Sequence, residues 1–406
     1  MKSVFLQEPV PHLLVESRKE IHGWYRDERE CTSERILLNP YNGCSNDCGY
    51  CYAKSYGGYF REHRESGVVT VFRDFDAVVA AQLDSLDVAS CGYLSPVTDP
   101  FQELEAVYHL SLSLVRVFTE RGLPVEFITK CCVPPEVLQL MSRQRHSFGQ
   151  VSITTVCEEK RALLMKGGAT TDELWQQVAA IRRNGMHAVV RIDPVIPFVT
   201  DSRDELEELL RRARDCGASH VVASALDVPM GMKSSVLGRL DSFGDGTTYD
   251  IEKLYSERIH GSLNAKIGYR RNLFTTLREE CDKLGLTFAL CMEFELLDGQ
   301  LTGLNSEFMS SSNCEGIDIP VYVRDGAVFR PAADCSGNCL SCSSAICGLE
   351  ELALARADRT RKSFRLSDYR RWTREIRRSV GEEQKERGLG VCKEGRSDQC
   401  FRMSGL

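Results

Sequence analysis

Between Ile36 and Ala225, six short apolar or β-branched runs alternate with amphipathic helical runs, and this restricts the chain to a parallel sheet covered by helices. Strands are expected at Ile36–Leu38, Gly92–Leu94, Val125–Thr129, Val151–Val156, Ala188–Asp193 and Ser219–Ala225. Helices are expected over Phe75–Leu86, Leu104–Thr119, Pro135–Arg143, Thr171–Asn184 and Asp204–Cys216. Pro135 suits a first helical turn, Thr170 or Thr171 an N-cap, and Gly185 a helix end. The period alone leaves two arrangements open, an open partial (β/α)6 barrel and a doubly wound sheet.

The loop after the first strand reads Asn39-Pro-Tyr-Asn-Gly-Cys-Ser-Asn-Asp-Cys-Gly-Tyr-Cys-Tyr-Ala53, with Cys44, Cys48 and Cys51 in C-x3-C-x2-C spacing. Three thiolates this close can grip three corners of a cubane [4Fe–4S] cluster and leave the fourth iron without a protein ligand. An open iron can bind S-adenosylmethionine, and an electron from the cluster then splits its sulfonium to release a 5'-deoxyadenosyl radical. A zinc site would want a fourth Cys or His. The closest candidates are His22, His63 and Cys31. A disulfide framework is the other alternative for a cysteine-rich chain. The spacing, with an aromatic residue before the last cysteine, resembles the radical S-adenosylmethionine (radical SAM) superfamily.

Bulk properties agree with an enzyme of this kind. A chain of 406 residues with 42% hydrophobic residues supports two or three domains and a sizeable core. The net charge of -7 argues against a protein that coats nucleic acid, without excluding a local basic groove. No apolar run has membrane-spanning length and the N-terminus lacks a signal-peptide core, so a cytoplasmic location and no membrane partner are expected. In that compartment the 18 cysteines are expected to be metal ligands and free thiols rather than disulfides.

Further segments resemble one branch of the superfamily, the spore photoproduct lyase-like (DNA repair photolyase-like) proteins. They run from Asn39-Pro-Tyr-Asn-Gly-Cys44 through Thr98-Asp-Pro-Phe-Gln102, Ile128-Thr-Lys130 and Val151-Ser-Ile-Thr154 to Ile192-Asp-Pro-Val-Ile-Pro197. The resemblance implies an α/β fold, a partial (β/α)6 TIM-type radical SAM barrel with a smaller C-terminal Cys-rich α+β region. In such a barrel the functional groups stand at the C-terminal ends of the strands. The resemblance further implies a [4Fe–4S] cluster on Cys44, Cys48 and Cys51, bound S-adenosyl-L-methionine, and an electron donor such as a flavodoxin or ferredoxin. Tyr52 and Ala53 would wall the adenine, and Thr98 and Asp99 would sit near the cofactor amino group. Lys130, Ser152 and Arg191 would hold its carboxylate or ribose. The plainer alternatives are a salt bridge in the barrel mouth for Lys130 and Arg191, ordinary strand hydroxyls for Ser152 and Thr154, and a loop cap for Asp193.

The lyase that repairs the spore thymine dimer carries a cysteine hydrogen-atom donor on its second-strand segment. Here that stretch is Ser95-Pro96-Val97-Thr98, and Cys91 lies earlier, which counts against dimer repair by the same mechanism. Cys131 or Cys132 at the end of the third strand would supply the hydrogen atom instead, or both are ordinary half-buried thiols.

Beyond residue 228 the pattern changes. Gly231–Asp250 reads as a loop excursion, Leu263–Leu284 as one long amphipathic helix, and Phe288–Leu290 as a strand. A hairpin turn is expected around Arg324-Asp-Gly326. Cys335, Cys339, Cys342 and Cys347 then form C-x3-C-x2-C-x4-C, a second metal site for zinc, mononuclear iron or an auxiliary Fe–S cluster. Leu352–Val380 is a basic helical stretch carrying Arg356, Arg359, Arg361, Lys362, Arg365, Arg370, Arg371, Arg374, Arg377 and Arg378 with Tyr369 and Trp372. It would grip a phosphate backbone or be a solvated helix paired with acidic residues.

The expected organisation is an N-terminal arm over 1–34, a barrel over 35–255, a C-terminal helix and Cys-rich metal-binding region over 256–350, and a basic helix and tail over 351–406. The C-terminal part is expected to cover the barrel mouth. The expected function is reductive cleavage of S-adenosylmethionine and hydrogen-atom abstraction from a substrate. Family likeness points to a nucleic-acid base, and the second cysteine group to a peptide or protein. A non-enzymatic zinc- or nucleic-acid-binding module is the alternative.

Overall fold

The computed structural model describes residues 3–23, 35–243, 247–333, 335–339, 341–352 and 364–386. Trp24, Tyr25, Cys31, Arg356, Arg359, Arg361, Lys362, Cys392 and Cys400 lie outside them.

Seven parallel strands form the central sheet. They are β1 (Ile36–Leu38), β2 (Gly92–Leu94), β3 (Val125–Thr129), β4 (Phe148–Ser152), β5 (His187–Val195), β6 (His220–Ala225) and β7 (Thr287–Leu290). Each pairs in parallel with the next in chain order. A doubly wound sheet reverses its order at a switch point. This sheet never reverses, and β1 and β7 remain its two edges. The architecture is the expected partial barrel, extended by one strand. Helix α6 (Ile267–Leu284) is the crossover to β7, so the expected barrel limit at residue 255 falls inside its last unit.

The other covering helices are α1 (Phe75–Asp84), α2 (Leu110–Glu120), α3 (Pro135–Met141), α4 (Thr171–Arg183) and α5 (Arg203–Asp215). Thr170 and Glu173 form a capping box at the start of α4, satisfying two backbone donors reciprocally. The expected helix Leu104–Thr119 is broken at His109, which takes φ +50°. The break lets the Glu105 carboxylate accept the Ser111 and Leu112 backbone N–H groups, each at 2.9 Å, and so cap α2. Strand β4 starts three residues earlier than its β-branched run. Gly149 hid that start; it is needed because a Cβ there would lie 2.6 Å from the Phe127 ring.

The excursion after β6 is structured. It carries helices Lys233–Leu240 and Thr247–Leu254 and a three-stranded sheet of Val228–Pro229, Ser262–Ala265 and Tyr255–Ile259. At the N-terminus, His12–Glu16 pairs in parallel with Val69–Arg73, so part of the expected arm belongs to a four-stranded sheet. Among the described residues no helix is long and apolar enough to cross a membrane.

Only part of the C-terminal region lies on the mouth side: residues 291–303 follow the C-terminal end of β7, whereas residues 313–331 lie at the other end. The hairpin Tyr322–Asp325/Val328–Pro331 pairs with Val88–Ala89, just before β2, at the opposite end of the barrel. Tyr322 reaches His146 before β4, and the carbonyls of Glu315 and Cys314 lie 3.0 Å from His187 and 3.1 Å from His220 at the entrances of β5 and β6. Helix α7 (Leu366–Glu386) joins this closure through Thr373 and Arg377, which both bind Asp87. Residues 313–331 close the barrel bottom because the strand entrances present buried polar groups there that need partners.

His220 is fully buried in this closure. Burial, with the neighbouring His187, lowers its pKa from 6.5 to about 3. The native state therefore favours the neutral ring. Its contribution is complete above pH 6.5 and is lost as pH falls towards 3, at about 1.4 kcal/mol per pH unit. Urea midpoints are expected to fall between pH 7 and pH 5, and the slope to be shallower in His220→Gln.

Candidate functional site

The cysteine loop begins at the C-terminal end of β1 and is clamped from the next two strands. Gln102, after β2, donates to the Gly43 carbonyl at 3.2 Å and accepts the Ser45 N–H at 3.1 Å. Asn46 donates to Asp99 at 3.2 Å and exchanges hydrogen bonds with the Cys131 thiol at 3.3 and 3.4 Å. Its carbonyl accepts the Lys166 and Gly167 N–H groups at 3.0 and 3.1 Å. Asp47 is paired with Lys54 at 2.5 Å and Lys166 at 2.6 Å, which hold its carboxyl below the usual range against the upward push of burial.

Asp99, expected near the cofactor amino group, is committed to the protein. Its two oxygens accept four hydrogen bonds, from Thr129 at 2.8 Å, Phe101 N–H at 2.9 Å, Lys130 N–H at 2.7 Å and Asn46 at 3.2 Å. Thr98 donates to the Tyr41 carbonyl at 3.1 Å. Both residues position the loop and the end of β3. A carboxylate that will accept backbone N–H groups looks the same in a sequence as one that will meet a ligand.

Above the loop lies the excursion after β6. Tyr50 packs in one apolar cluster with Leu164, Ile196, Leu226, Met232, Val236 and Leu240, and Cys48 lies against that cluster. The Tyr50 hydroxyl is buried beside Cys48 and Thr154 without a hydrogen bond of normal geometry. The His63 ring lies beside the Cys44 backbone, and burial lowers its pKa. Burial, then the charge of Asp99, pushes the Cys44 thiol well up, and burial pushes Cys48 up to about 11. Thiols so placed ionise when a metal supplies positive charge. Among the described residues no three His, Cys, Asp or Glu side chains close on one point as the ligands of a single ion do. Three thiols on one short loop, with no fourth His or Cys ligand beside them among the described residues, suit a [4Fe–4S] cluster with one open iron.

The barrel interior supplies the rest of the mouth. Arg191 donates to Gln150 at 3.0 Å and pairs with Asp193 at 2.6 Å, so the plainer alternative of an internal salt bridge holds for this residue. Burial pushes the Asp193 carboxyl up, but the Arg191 charge and the Ser224 hydroxyl outweigh it and hold the carboxyl below its usual range. Lys130 has no ion pair or side-chain hydrogen bond among the described residues, and its charge acts on Cys48 and Asp193. Ser152 reaches the Asp193 carbonyl at 3.4 Å. Tyr52 donates to the Pro96 carbonyl at 3.0 Å, and Ala53 is buried behind it.

Of the two expected hydrogen-atom donors, Cys131 is buried against Asn46 and Cys132 is exposed near Glu173 on α4. Sequence reasoning gave Cys291 only a core role; it follows β7 beside Arg191, and burial raises its thiol to about 11. It also assigned no separate role to Asn46, Gln102 or Tyr50. All three stand within the quoted motifs, so a signal was present for each.

Cys335, Cys339, Cys342 and Cys347 follow the hairpin at the barrel bottom, away from this site. On α7, Arg371 is paired with Glu351 at 2.7 Å and with Asp368 and Glu375, and Arg377 is paired with Asp87. The helix therefore takes the plainer of its two alternatives at these positions.

Residues 38–213 match the family described as Radical SAM superfamily. A Pseudomonas phage M6 protein named Radical SAM Nalpha-GlyT isomerase is 27% identical over 376 residues, 86% of this chain and 78% of its own. An uncharacterized Mycobacterium tuberculosis protein is 26% identical over 206 residues, 47% of this chain and 58% of that protein. A solved spore photoproduct lyase, complexed with dinucleoside spore photoproduct, has a TM-score of 0.50 at 14% identity, covering 68% of this chain and 82% of that one. That likeness is one of fold.

If Asp99 and Asn46 hold the cysteine loop, Asp99→Asn will place an amide against donors that need an acceptor. Each donor left unpaired is expected to cost about 1–3 kcal/mol. The variant should show a lower urea midpoint and retain less iron than the parent chain after anaerobic reconstitution.

Proposed function

We propose that this chain, whose residues 38–213 match the Radical SAM superfamily, is a radical SAM enzyme that isomerises its substrate by hydrogen-atom abstraction. When bound on Cys44, Cys48 and Cys51, a [4Fe–4S] cluster supplies the electron that cleaves S-adenosyl-L-methionine to a 5'-deoxyadenosyl radical.

The chain's own residues have separable tasks. Gln102, Asn46 and Asp99 hold the cysteine loop in place. The Tyr50 cluster excludes water from its upper side. Lys130, unpaired among the described residues, is available to the cofactor carboxylate. Arg191 and Asp193, neutralising one another, present polar atoms to the mouth without a net charge. Tyr52 is 39% exposed and its ring edges onto Tyr56, giving an aromatic wall.

The observation that carries the isomerase reading is the reach of the phage relative, whose match spans 86% of this chain and so includes the bottom closure as well as the barrel. The mouth is consistent with it. An isomerisation leaves substrate and product with the same atoms, so the net reaction needs no hydrogen donor from the protein. Ser95–Thr98 offers no thiol, and Cys131 is tied to Asn46. Neither earlier pointer to substrate class lies at the mouth, since the basic helix and the second cysteine group are both at the other end.

The test is anaerobic turnover with a flavodoxin or dithionite as reductant, S-adenosylmethionine and Nalpha-GlyT. A product of unchanged mass and altered retention time is expected, with 5'-deoxyadenosine detectable on reduction. Cys44→Ala should abolish both. Formation of 5'-deoxyadenosine with no change in Nalpha-GlyT would move the substrate elsewhere and leave the radical chemistry standing.

A further inference from the structure

We propose that Arg239 is a fixed positive charge laid on the cysteine loop, positioned to make one-electron reduction of the cluster there easier. Arg239 stands in the last turn of the helix Lys233–Leu240, in the excursion after β6. That helix is tied to the loop by its apolar side. Val236, Leu237 and Leu240 share a cluster with Tyr50, and Cys48 packs against it. The Arg239 side chain crosses Gly49, which lies between Cys48 and Cys51. A Cβ on Gly49 would stand 2.4 Å from Arg239 Cγ, 2.9 Å from its Nε and 3.2 Å from its Cβ. No heavy atom of another residue comes nearer, and Gly49 does not take a positive φ. Backbone conformation therefore does not call for a glycine at position 49, and the room taken by Arg239 does.

The charge is also unspent. Lys54 and Lys166, beside the same loop, are both paired with Asp47. Lys233, on the same helix as Arg239, is paired with Glu252 at 2.8 Å. Arg239 has no ion pair or side-chain hydrogen bond among the described residues. Its backbone carbonyl alone is engaged, accepting from the Ser242 hydroxyl at 2.7 Å. A cation in the last turn of a helix commonly serves the free carbonyls of that turn. Here the side chain runs over Gly49 instead. A guanidinium keeps its proton throughout the working range of a protein, so this charge is permanent. Lys130 acts from the barrel side and is left to the cofactor carboxylate.

Reduction by a flavodoxin- or ferredoxin-class donor moves one electron from the donor to the cluster, with no bond made or broken, and adds negative charge at the loop. Arg239 lowers the energy of that added charge. Its effect is strengthened because the Tyr50 cluster keeps water from the upper side of the loop. Net charge and solvent exposure are two of the quantities that set the potential of an iron–sulfur cluster. The inference rests on a cluster at Cys44, Cys48 and Cys51 and not on the isomerase reading.

The experiment is a potentiometric titration of anaerobically reconstituted full-length protein without S-adenosylmethionine. It follows the EPR signal of the reduced cluster that Cys44→Ala removes, with iron and sulfide counted on each sample. Arg239→Gln is expected to bind as much iron as the parent chain and to shift the midpoint to a more negative potential. Arg239→Lys, which keeps the charge, should recover most of that shift. Gly49→Ala, whose added Cβ drives Arg239 off the loop, should shift the midpoint in the same direction as Arg239→Gln. An unchanged or more positive midpoint in Arg239→Gln at full iron content overturns the inference and leaves the cluster standing. Equal shifts in Arg239→Lys and Arg239→Gln also overturn it, since packing and not charge is then the cause. Loss of iron in Arg239→Gln does the same by giving the side chain a structural role. A parent chain without the signal overturns the inference and the cluster together. Should Gly49→Ala fail to fold, the Arg239 variants decide alone, because the guanidinium has no partner among the described residues for the fold to lose.

Discussion

A column of buried hydrogen bonds runs through the barrel, and both ends of the molecule depend on it. Glu315, from the bottom closure, pairs with Arg35 at 2.6 Å, and Arg35 lies 3.2 Å from Glu126 on β3. Gln150 on β4 donates to Glu126 at 2.9 Å and accepts from Arg191 on β5 at 3.0 Å. Arg191 pairs with Asp193, which accepts from Ser224 on β6. Arg35 is wholly buried and Arg191 is 7% exposed. Burying such charges costs several kcal/mol each unless they are paired and fully hydrogen-bonded. Glu126 bears that cost visibly, since burial and the adjacent Glu315 push its carboxyl well up. What the column secures is position. Arg191 can stand in the mouth only because Gln150 and Asp193 fix its two nitrogens.

The mouth is built by the same logic from the outside. The cysteine loop has almost no secondary structure, so its shape comes from side chains that replace a ladder. Gln102 and Asp99 bring two successive strand ends to bear on it, and the excursion after β6 covers it with apolar surface through Tyr50. Because the excursion is anchored on the loop, the packing that protects the cluster site also restrains the mouth from above.

The parallel sheet was legible because its strands are buried on both faces and so read as continuous β-branched runs. The cysteine loop was legible because few chemistries need that spacing. β7 stood out less because it is four residues long and follows an insertion whose glycines and serines imitate a loop. The break at His109 was invisible because it depends on Glu105 turning back to cap α2, a contact decided by tertiary structure. The bottom closure was misplaced for a related reason. Residues 313–321 have no hydrophobic period, and their fit under the strands rests on backbone carbonyls meeting His187 and His220. Carbonyl direction leaves no trace in residue types. Arg371 and Arg377 read as a basic patch because their partners Glu351 and Asp87 lie outside the helix.

The two ends of the barrel differ in what they leave open. The loop at the C-terminal end of the strands faces the polar interior that Arg191 and Asp193 supply. There Lys130 has no ion pair or side-chain hydrogen bond among the described residues. The other end faces a closure whose polar groups already have partners in His146, His187, His220 and Arg35. Polar capacity that a ligand can use is therefore concentrated at the mouth, on the side where Cys44, Cys48 and Cys51 stand.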